Sequence, residues 1–381
     1  MDWRVPLADL DYGSEEEQAV LKVLRSKWLT MGAITQEFET QFSQTISVKH
    51  TIAVSNATEA LHLACLALGI GPGDEVITPS LSFVATSNAV LYTGADVRFA
   101  DIIGPDELNI DPEEIVRQIT PRTKAIMIMH YAGYPCRMRE IIAVAEKFGV
   151  PVIEDAAHAP GASLDGKAMG TWGTIGCFSF FSNKNLSTGE GGMLVTDRED
   201  VAAKVHLLRS HGMTTLTYDR HHGHAYSYDV VDLGYNYRID EMRSALGFEQ
   251  LKKLVANNAR RKALTERYWD ALTGIGVGLP FKGGSGASSY HIFPILLPIG
   301  INRKAFMDAL RAEGIQTSIH YPPTHRFTYY KSRYGSISLP KTEDISEREV
   351  TLPLYPGMGA ELVDLVAEIV IRTIKTLSVA N

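Results

Sequence analysis

Hydrophobic and polar positions in the first 240 residues follow helical and strand-like periods in turn. From 14 to 27 apolar residues such as Val20 and Val23 recur at helical spacing, and Ser14 with Glu17 predicts a capping box at the start of that helix. Similar patterns predict helices at 59–68, 84–92 and 138–148, a helix opened at 111–112, and strands at 50–55, 75–78, 96–101, 124–130, 150–154, 177–181 and 192–196. Such alternation is typical of an α/β fold.

Two of these strands indicate the kind of sheet. Residues 124–130 (KAIMIMH) and 150–154 (VPVIE) are apolar runs without alternation, and strands of that kind are covered on both faces. We therefore predict an α/β, three-layer sandwich, in which a mostly parallel sheet lies between helices through about residue 240.

The remaining residues predict a second, smaller unit. A long helix at 240–272 is followed by a break at 283–286 that is rich in glycine and serine. A strand at 291–297, a helix from 302, a strand near 315–319 and a closing helix from about 359 complete the pattern. We predict a large domain at 1–250 and a small C-terminal α/β domain at 251–381.

Composition narrows the class of protein. The 381 residues are 45% hydrophobic and 21% charged, which suits a chain that buries a large core. The 37 Lys and Arg against 44 Asp and Glu give a net charge of −7, and without a basic run this argues against nucleic acid as a partner. Cys65, Cys136 and Cys177 lack the spacing of a disulfide framework or a metal site. With no signal peptide and no apolar stretch of ~20 residues, we expect a cytoplasmic protein without membrane association.

Three predicted strands lead to residues that can carry chemistry, and ligands of such sheets bind at the carboxyl ends of the strands. One strand runs through Asn56, Ala57 and Thr58 into a helix N-terminus, which either binds an anion or is simply capped by these residues. Another ends at Asp155, either a charge partner for a ligand or a structural cap. A third leads to Lys184, a nucleophile if buried and a hairpin residue if exposed.

Taken together, these strand ends match the requirements of pyridoxal 5'-phosphate. The cofactor needs a lysine that forms a Schiff base with its aldehyde, a carboxylate that keeps its pyridine nitrogen protonated, and a site for its phosphate. Opposite charges at ~4 Å attract by about 4 kcal/mol at an effective dielectric constant of 20, which favours the protonated nitrogen. We predict pyridoxal phosphate as the cofactor and no metal.

Longer motifs carry a more specific resemblance. In chain order they are 54–58 (VSNAT), 79–86 (PSLSFVAT), 154–158 (EDAAH), 178–180 (FSF), 184–185 (KN), 189–192 (GEGG), 234–238 (GYNYR), 320–322 (HYP) and 352–356 (LPLYP). From Trp28 to the C-terminal helix the sequence resembles the DegT/DnrJ/StrS family of sugar aminotransferases, a branch of the fold-type-I pyridoxal-phosphate enzymes with an aspartate-aminotransferase-like fold.

The resemblance implies a reaction and an assembly. The reaction would move an amino group from L-glutamate to a nucleotide-linked keto-sugar, such as a 4-keto-6-deoxyhexose. It would belong to amino-sugar, cell-surface polysaccharide or natural-product biosynthesis. The enzyme would be a homodimer with shared active sites.

Residues around the cofactor ring take their roles from the same resemblance. Lys184 would form the Schiff base and, once released, move the proton between carbon atoms. Asp155 would pair with the pyridinium nitrogen, and His158 would lie near the phenolic oxygen. Phe83 would stack on the ring.

The cofactor phosphate takes a second set of residues. The resemblance implies that Ala57, Thr58 and Ser179 hold the phosphate through backbone amides and hydroxyl groups. Asn236 would reach it from the neighbouring subunit.

The resemblance also implies residues for the substrates. Arg238 would bind an anionic group of the donor or the sugar nucleotide. His320 and Tyr321 would border the sugar pocket. From its position shortly before the motif at 234–238, and not from the resemblance, the loop with the histidine cluster at 220–224 is expected near the substrate entrance; the role of the 214–228 stretch stays open.

The sequence departs from many family members at two positions. Ala57 replaces a glycine, which a backbone contact tolerates unless the residue needs a positive φ. His158 replaces a glutamine and can also donate a hydrogen bond. Relatives that remove a sugar hydroxyl carry histidine in place of the lysine, whereas this chain has Lys184.

Several other interpretations were open. The segment 69–73 (GIGPG) precedes a strand instead of following one, so the dinucleotide-binding fingerprint fails. The histidines within 220–224 (RHHGH) lack a partnering acid or cysteine pattern, which favours a surface loop over a metal site. Another pyridoxal-phosphate reaction, dehydration or epimerisation, remains an alternative, as does a non-catalytic regulatory homologue; the presence of Lys184 and Asp155 argues against the latter.

Overall fold

A seven-stranded sheet forms the centre of the larger part of the molecule. The computed structural model describes residues 3–214 and 227–379. In chain order its strands are β1 (His50–Val54), β2 (Glu75–Pro79), β3 (Asp96–Ala100), β4 (Ile102–Gly104), β5 (Glu107–Ile110), β6 (Thr123–Met129), β7 (Val152–Asp155), β8 (Ser163–Leu164), β9 (Lys167–Ala168), β10 (Ile175–Ser179), β11 (Gly192–Thr196), β12 (Phe293–Leu296) and β13 (Glu349–Leu352). The large sheet has the order β1-β11-β10-β7-β6-β2-β3. Strands β10, β7, β6, β2 and β3 pair in parallel, whereas β11 runs antiparallel to both of its neighbours, which confirms the predicted, mostly parallel sheet.

Helices cover both faces of this sheet. They are α1 (Ser14–Ser26), α2 (Ala33–Ile46), α3 (Ala57–Ala67), α4 (Ala85–Leu91), α5 (Pro112–Gln118), α6 (Met138–Phe148), α7 (Glu199–Arg209), α8 (Glu241–Leu272), α9 (Arg303–Ala312), α10 (Thr328–Tyr334), α11 (Pro340–Arg348) and α12 (Ala360–Val379). Ile126 and Ile128 of β6 pack on one face with residues of α2, α6 and α8. Met127, between them, packs on the other face with residues of α3 and α7. Since neighbouring residues of one strand enter two different cores, the strand has to be apolar throughout, and the predicted three-layer sandwich is confirmed.

The first helix begins differently from the prediction. Gly13 is its N-cap, and the Gly13 N–H donates to Glu16 Oε2 at 2.8 Å. The expected capping box of Ser14 and Glu17 is therefore wrong by one residue. Three consecutive glutamates, of which Glu15 is the first, offer the same side chain to the cap, so spacing alone does not select among them.

The C-terminal part departs from the prediction at one strand. Residues 315–319 form no extended strand, because Ile315 makes a single bridge with Val5, and Ser318 makes one with Thr351. Strand β12 pairs antiparallel with β13 instead, so the βαβ arrangement implied by the strand near 315–319 does not form. Strand β10 also begins and ends two residues before the predicted 177–181. The periodicity does not predict several elements: α2, α7, α10, α11, β13 and the β4–β5 and β8–β9 hairpins.

Helix α8 confirms the long helix and runs through the predicted domain boundary. The helix is continuous from Glu241 to Leu272, so residue 250 lies inside it. Its last turns contribute Tyr268 and Leu272 to a separate hydrophobic core, which also contains residues of β12, β13, α9 and α12. Val5 joins that core from the N-terminal segment. The division at 250 stays a prediction.

One buried carboxylate ties the start of α8 to the start of α2. Glu241 accepts hydrogen bonds from the N–H groups of Gly32 (2.8 Å), Ile34 (3.0 Å) and Thr35 (2.9 Å), and from the Thr35 hydroxyl (2.7 Å). The first N–H groups of a helix have no partner within the helix, and a carboxylate there is favoured by the helix dipole. Glu241 thus caps α2 from another helix.

Replacing Glu241 should weaken the fold. Glu241→Gln leaves only one acceptor oxygen for these donors, and we expect the free energy of unfolding to fall by about 2 kcal/mol. Urea denaturation followed by circular dichroism measures the change. Glu249→Gln is the matched control, because Glu249 contacts Lys252 at the protein surface (2.7 Å), and such a pair contributes less than about 1 kcal/mol. Equal losses in the two variants would contradict a capping role for Glu241.

Candidate active site

A cavity of about 700 Å³ lies at the carboxyl ends of the parallel strands. Met129, Asp155 and Ser179 line it, and each is the last residue of its strand, β6, β7 and β10. Most of the predicted site residues lie around this one cavity: Ala57, Thr58, Phe83, Asp155, His158, Ser179, Lys184, His320 and Tyr321. The parallel strand ends therefore bring together groups that are far apart in the sequence.

Lys184 lies in the loop after β10 and faces the cavity half-buried. Burial lowers the pKa of its amine from 10.5 to about 8, and the Asp155 carboxylate opposes this shift. The next residue anchors the loop, because Asn185 Nδ2 donates to Asn258 Oδ1 (2.8 Å) and to the Ser289 carbonyl (2.6 Å). The loop that carries Lys184 is thus anchored by the side chain of the next residue. The Lys184 amine loses its proton more readily than the amine of an exposed lysine.

Asp155 is almost completely buried, with 4% of its surface exposed. Its Oδ2 accepts a hydrogen bond from the Thr86 hydroxyl (2.7 Å), and its Oδ1 accepts one from the Ala157 N–H (3.2 Å). Burial raises the pKa of this carboxyl above its usual value of 3.8, and the two hydrogen bonds and Lys184 limit the rise. The structure therefore presents one carboxylate, with donors on both oxygens, at the floor of the cavity.

The start of helix α3 forms another wall. Asn56 caps the helix by accepting from the Glu59 N–H (3.0 Å), and Ala57 begins the helix with an ordinary helical backbone. A Cβ atom at Gly192 of β11 would lie 2.8 Å from the Ala57 nitrogen and 2.6 Å from the Asn56 carbonyl carbon, so only glycine fits there. The backbone at Ala57 does not have a positive φ, so its methyl group causes no strain. The first residues of α3, whose N–H groups have no partner within the helix, line the cavity together with Ser179.

Aromatic side chains lie around the opening. Phe83 is 56% exposed, and its ring centroid lies 5.9 Å from that of Tyr321. The Tyr321 hydroxyl is 2.9 Å from His158 Nε2, and the His158 ring lies 4.3 Å from the His291 ring. Burial, with the positive charge of Lys184, holds the pKa of His158 well below its ordinary value, so this ring is neutral.

His320 is held from behind by the strand β13. Its ring atom Nδ1 is 2.8 Å from the Thr351 hydroxyl oxygen, and its backbone N–H donates to Glu349 Oε2 at 2.8 Å. Burial lowers the pKa of His320 to about 3 and raises the pKa of Glu349 to about 8. The imidazole that faces the cavity is therefore uncharged and fixed in orientation.

Two predicted residues do not line this cavity. Asn236 is exposed and forms a single bridge with Ser210. Arg238 is half-buried and forms one with Val54. Neither contact assigns the residue a role in the site of its own chain.

Sequence reasoning gave no role to several residues that shape the site. The Thr86 side chain donates a hydrogen bond to Asp155, and the Asn185 side chain anchors the Lys184 loop. The Thr351 hydroxyl contacts the imidazole of His320. Thr86 and Asn185 fall inside the motifs that carried the family resemblance, but hydroxyl and amide side chains in a motif do not reveal their partners. Thr351 directly precedes the motif at 352–356, which offered no signal for it.

Neither a metal site nor a membrane span is found in the part of the chain that the structure describes. Within 3–214 and 227–379, no group of three or more His, Cys, Asp and Glu side chains is arranged to hold a metal ion. Over the same ranges, no helix combines the length and the apolar character needed to cross a bilayer. The histidine-rich segment at 220–224 and most of the 214–228 loop lie outside the described residues.

Comparison with known proteins decides the family. The sequence pattern of the DegT/DnrJ/EryC1/StrS aminotransferases matches residues 11–371. The chain belongs to the DegT/DnrJ/EryC1/StrS aminotransferase family. Both the predicted resemblance and the aminotransferase assignment are thereby confirmed.

Relatives of this aminotransferase match it over at least 95% of its length. The spore coat polysaccharide biosynthesis protein SpsC of Bacillus subtilis (strain 168) is 40% identical over 371 residues, with 95% of each chain covered. Helicobacter pylori PseC, an aminotransferase involved in the biosynthesis of pseudoaminic acid, has 30% identity and a TM-score of 0.91, with 99% of this chain and 100% of that chain covered. DesI, solved in the presence of its TDP-sugar product, has 29% identity and a TM-score of 0.88, with 100% and 95% covered. These matches confirm the fold-type-I architecture and a sugar aminotransferase.

Enzymes of this family use pyridoxal phosphate, and the cavity fits that cofactor. A lysine with a lowered pKa and a buried carboxylate with donors on both oxygens face the same space. A helix start, approached so closely by Gly192 that a side chain would not fit, lies beside Ser179. The chemistry of these groups corresponds to the aldehyde, the ring nitrogen and the phosphate of the cofactor.

The lowered pKa of Lys184 should appear in the pH dependence of stability. Between pH 8 and 10.5 the unfolded chain keeps a proton on this lysine that the folded chain has lost, so stability rises with pH in that window. We expect cofactor-free wild-type protein to gain stability relative to Lys184→Met as the pH is raised from 7.5 to 10. Urea denaturation over this series measures the difference. Lys22→Met, at an exposed position of α1, is the matched control and should follow wild type; a constant difference between wild type and Lys184→Met would contradict the shift.

Proposed function

We propose that this enzyme transfers the amino group of L-glutamate to a nucleotide-linked keto-sugar, most simply a 4-keto-6-deoxyhexose. The observation that carries the proposal is the single cavity that contains the Lys184 amine, with its lowered pKa, and the buried Asp155 carboxylate. The family supplies the reaction class, and the TDP-sugar product of DesI supports a sugar nucleotide as the acceptor. SpsC supports a place in polysaccharide or amino-sugar biosynthesis, with natural-product biosynthesis as the wider family context.

Lys184 is the proposed catalytic residue. When bound, pyridoxal phosphate supplies the aldehyde that receives the amino group and a ring that withdraws electrons from the carbon that loses a proton. With a pKa near 8, the Lys184 amine is available in its neutral form close to physiological pH. It would accept a proton from the α-carbon of glutamate and, in the second half-reaction, return a proton to the ring carbon of the sugar.

The remaining residues would bind and orient. Asp155, whose ionised form is favoured by its two hydrogen bonds, would hold the protonated ring nitrogen, and Phe83 would cover one face of the ring. His158, a neutral imidazole, would lie near the phenolic oxygen. The phosphate would be held by Ser179 and by the start of α3 at 57–58, where free N–H groups and the helix dipole favour an anion.

The sugar side of the cavity would be formed by His320 and Tyr321. Both are uncharged at neutral pH, since burial lowers the pKa of the imidazole and raises that of the phenol. Uncharged polar groups suit hydroxyls and a ketone better than a phosphate. Arg238 is proposed for an anionic group of the donor or the nucleotide.

We further propose a homodimer in which Asn236 serves the partner's site. Asn236 is exposed and lies off its own cavity, as expected if it reaches the phosphate of the other subunit. The three cysteines are buried free thiols, which suits a reducing compartment, and we propose the cytoplasm.

Glutamate-dependent amination of a panel of nucleotide-linked 3-keto- and 4-keto-sugars tests the reaction. We expect equal amounts of 2-oxoglutarate and amino-sugar, and a loss of roughly a thousandfold in Lys184→Ala. Borohydride reduction of the holoenzyme, followed by peptide mass spectrometry, should place the cofactor on Lys184. Conversion of the sugar without 2-oxoglutarate would favour dehydration or epimerisation, and full turnover by Lys184→Ala would exclude the mechanism.

A mixed dimer tests the shared site. Lys184→Ala and Asn236→Ala chains are co-expressed with different affinity tags, and the dimer that carries both tags is isolated. If Asn236 serves the partner's site, one site of the mixed dimer carries both changes and the other carries neither. Such a dimer should have about half the wild-type specific activity. If Asn236 acts in its own subunit, each site carries one change and the activity stays as low as in the parent variants.

A further inference from the structure

A chain of hydroxyl groups lies directly behind Asp155. The Thr86 hydroxyl donates to Asp155 Oδ2 at 2.7 Å, and the Ser82 hydroxyl oxygen lies 2.6 Å from that of Thr86. Thr86 is completely buried and Ser82 is 1% exposed. The single proton of Thr86 is used on the carboxylate, so Ser82 has to be the donor to Thr86. The three side chains form one directed series of hydrogen bonds that ends on the carboxylate.

This arrangement leaves the carboxylate little freedom. Oδ2 is held by Thr86, and Oδ1 is held by the Ala157 N–H at 3.2 Å. Because donors on both oxygens fix the plane of the carboxyl group, Asp155 cannot rotate without losing one of them. A carboxylate that must meet a ring nitrogen edge-on needs this kind of restraint.

The same contacts act on the charge of Asp155. Burial alone would favour the neutral acid, and a neutral acid has no charge with which to hold a protonated ring nitrogen. The Thr86 and Ala157 hydrogen bonds favour the ionised form, as do the charges that act on Asp155 from Lys184 and His130. Thr86 is the side-chain donor among these groups and is close enough to act by direct contact.

The series also joins Asp155 to the segment that carries Phe83. Ser82 directly precedes Phe83 and Thr86 lies three residues after it; both are buried, whereas the Phe83 ring is exposed at the cavity. The residue proposed for the ring face and the residue proposed for the ring nitrogen are therefore set in register by one set of hydrogen bonds.

We propose that Thr86 is a positioning residue that orients Asp155 toward the cofactor nitrogen and keeps it ionised. The inference rests on the proposed function for the identity of the group that Asp155 binds. It predicts that Thr86 affects the cofactor itself, in its affinity and its spectrum, and not only turnover.

The test compares Thr86→Val, Thr86→Ser and Thr78→Val with wild type. Valine has the shape of threonine without the hydroxyl, and serine restores the hydroxyl. Thr78 is equally buried on β2, but its hydroxyl is near that of Ser87 (3.4 Å) and makes no hydrogen bond to Asp155, so Thr78→Val controls for the substitution itself. The dissociation constant for pyridoxal phosphate, the pH dependence of the bound cofactor's absorbance, and kcat and KM are measured for each.

Thr86→Val should weaken cofactor binding and lower kcat by about tenfold each, with KM for glutamate and for the sugar nucleotide nearly unchanged. It should also shift the absorbance transition in pH. Thr86→Ser should return all three toward wild type, and Thr78→Val should leave them unchanged. If the Thr86→Val protein does not fold, Ser82→Ala, which removes the donor to Thr86, should give a smaller loss of about threefold in the same measurements.

Wild-type affinity and spectrum in Thr86→Val would overturn the positioning role. An equal loss in Thr78→Val would also overturn it, because the effect would then come from packing. Failure of the proposed function is separate: a wild-type enzyme that binds pyridoxal phosphate in a Thr86-dependent way but aminates no keto-sugar would leave the positioning role intact.

Discussion

The rest of the site depends on two groups of opposite charge at the same edge of one sheet, the half-buried Lys184 amine and the buried Asp155 carboxylate. Burial makes the Lys184 ammonium and the Asp155 carboxylate each less favourable, and the pKa of each moves toward neutrality. Each is also the partner that limits the shift of the other. The Asp155 carboxylate, the more deeply buried of the two, also accepts hydrogen bonds from Thr86 and Ala157.

Hydrogen bonds from distant segments of the chain support both groups. Beneath Asp155, hydroxyl and amide donors hold the carboxylate, and beside Lys184 the Asn185 side chain anchors the loop to Asn258 and Ser289. These supports come from α4, from α8 and from the segment before β12, which are distant in sequence. The site therefore depends on both parts of the chain.

The sequence predicted the site residues that lie at or after the end of a buried strand. It did not predict hydrogen-bond partners that are distant along the chain. Asp155 ends a buried strand and Lys184 lies in the loop that follows another, so their place at the cavity could be inferred from local pattern and from the family resemblance. Thr86 lies 69 residues from its partner Asp155, and no local pattern pairs a threonine with a carboxylate across that distance. At 315–319 the sequence pattern predicts an element that does not form. The segment has the alternation of a strand, but it makes only single bridges, one to Val5 and one to Thr351.

Helix α8 has a mechanical consequence. At 1.5 Å per residue its 32 residues form a rod of about 48 Å. Its first residue, Glu241, accepts hydrogen bonds from the start of α2. Asn258, near its middle, accepts a hydrogen bond from Asn185, the residue after Lys184. Arg261, one turn later, donates to the carbonyls of His291 and Leu354. Because these contacts belong to one continuous helix, a displacement of α8 would act on the start of α2, on the Lys184 loop and on the segments at His291 and Leu354 at the same time.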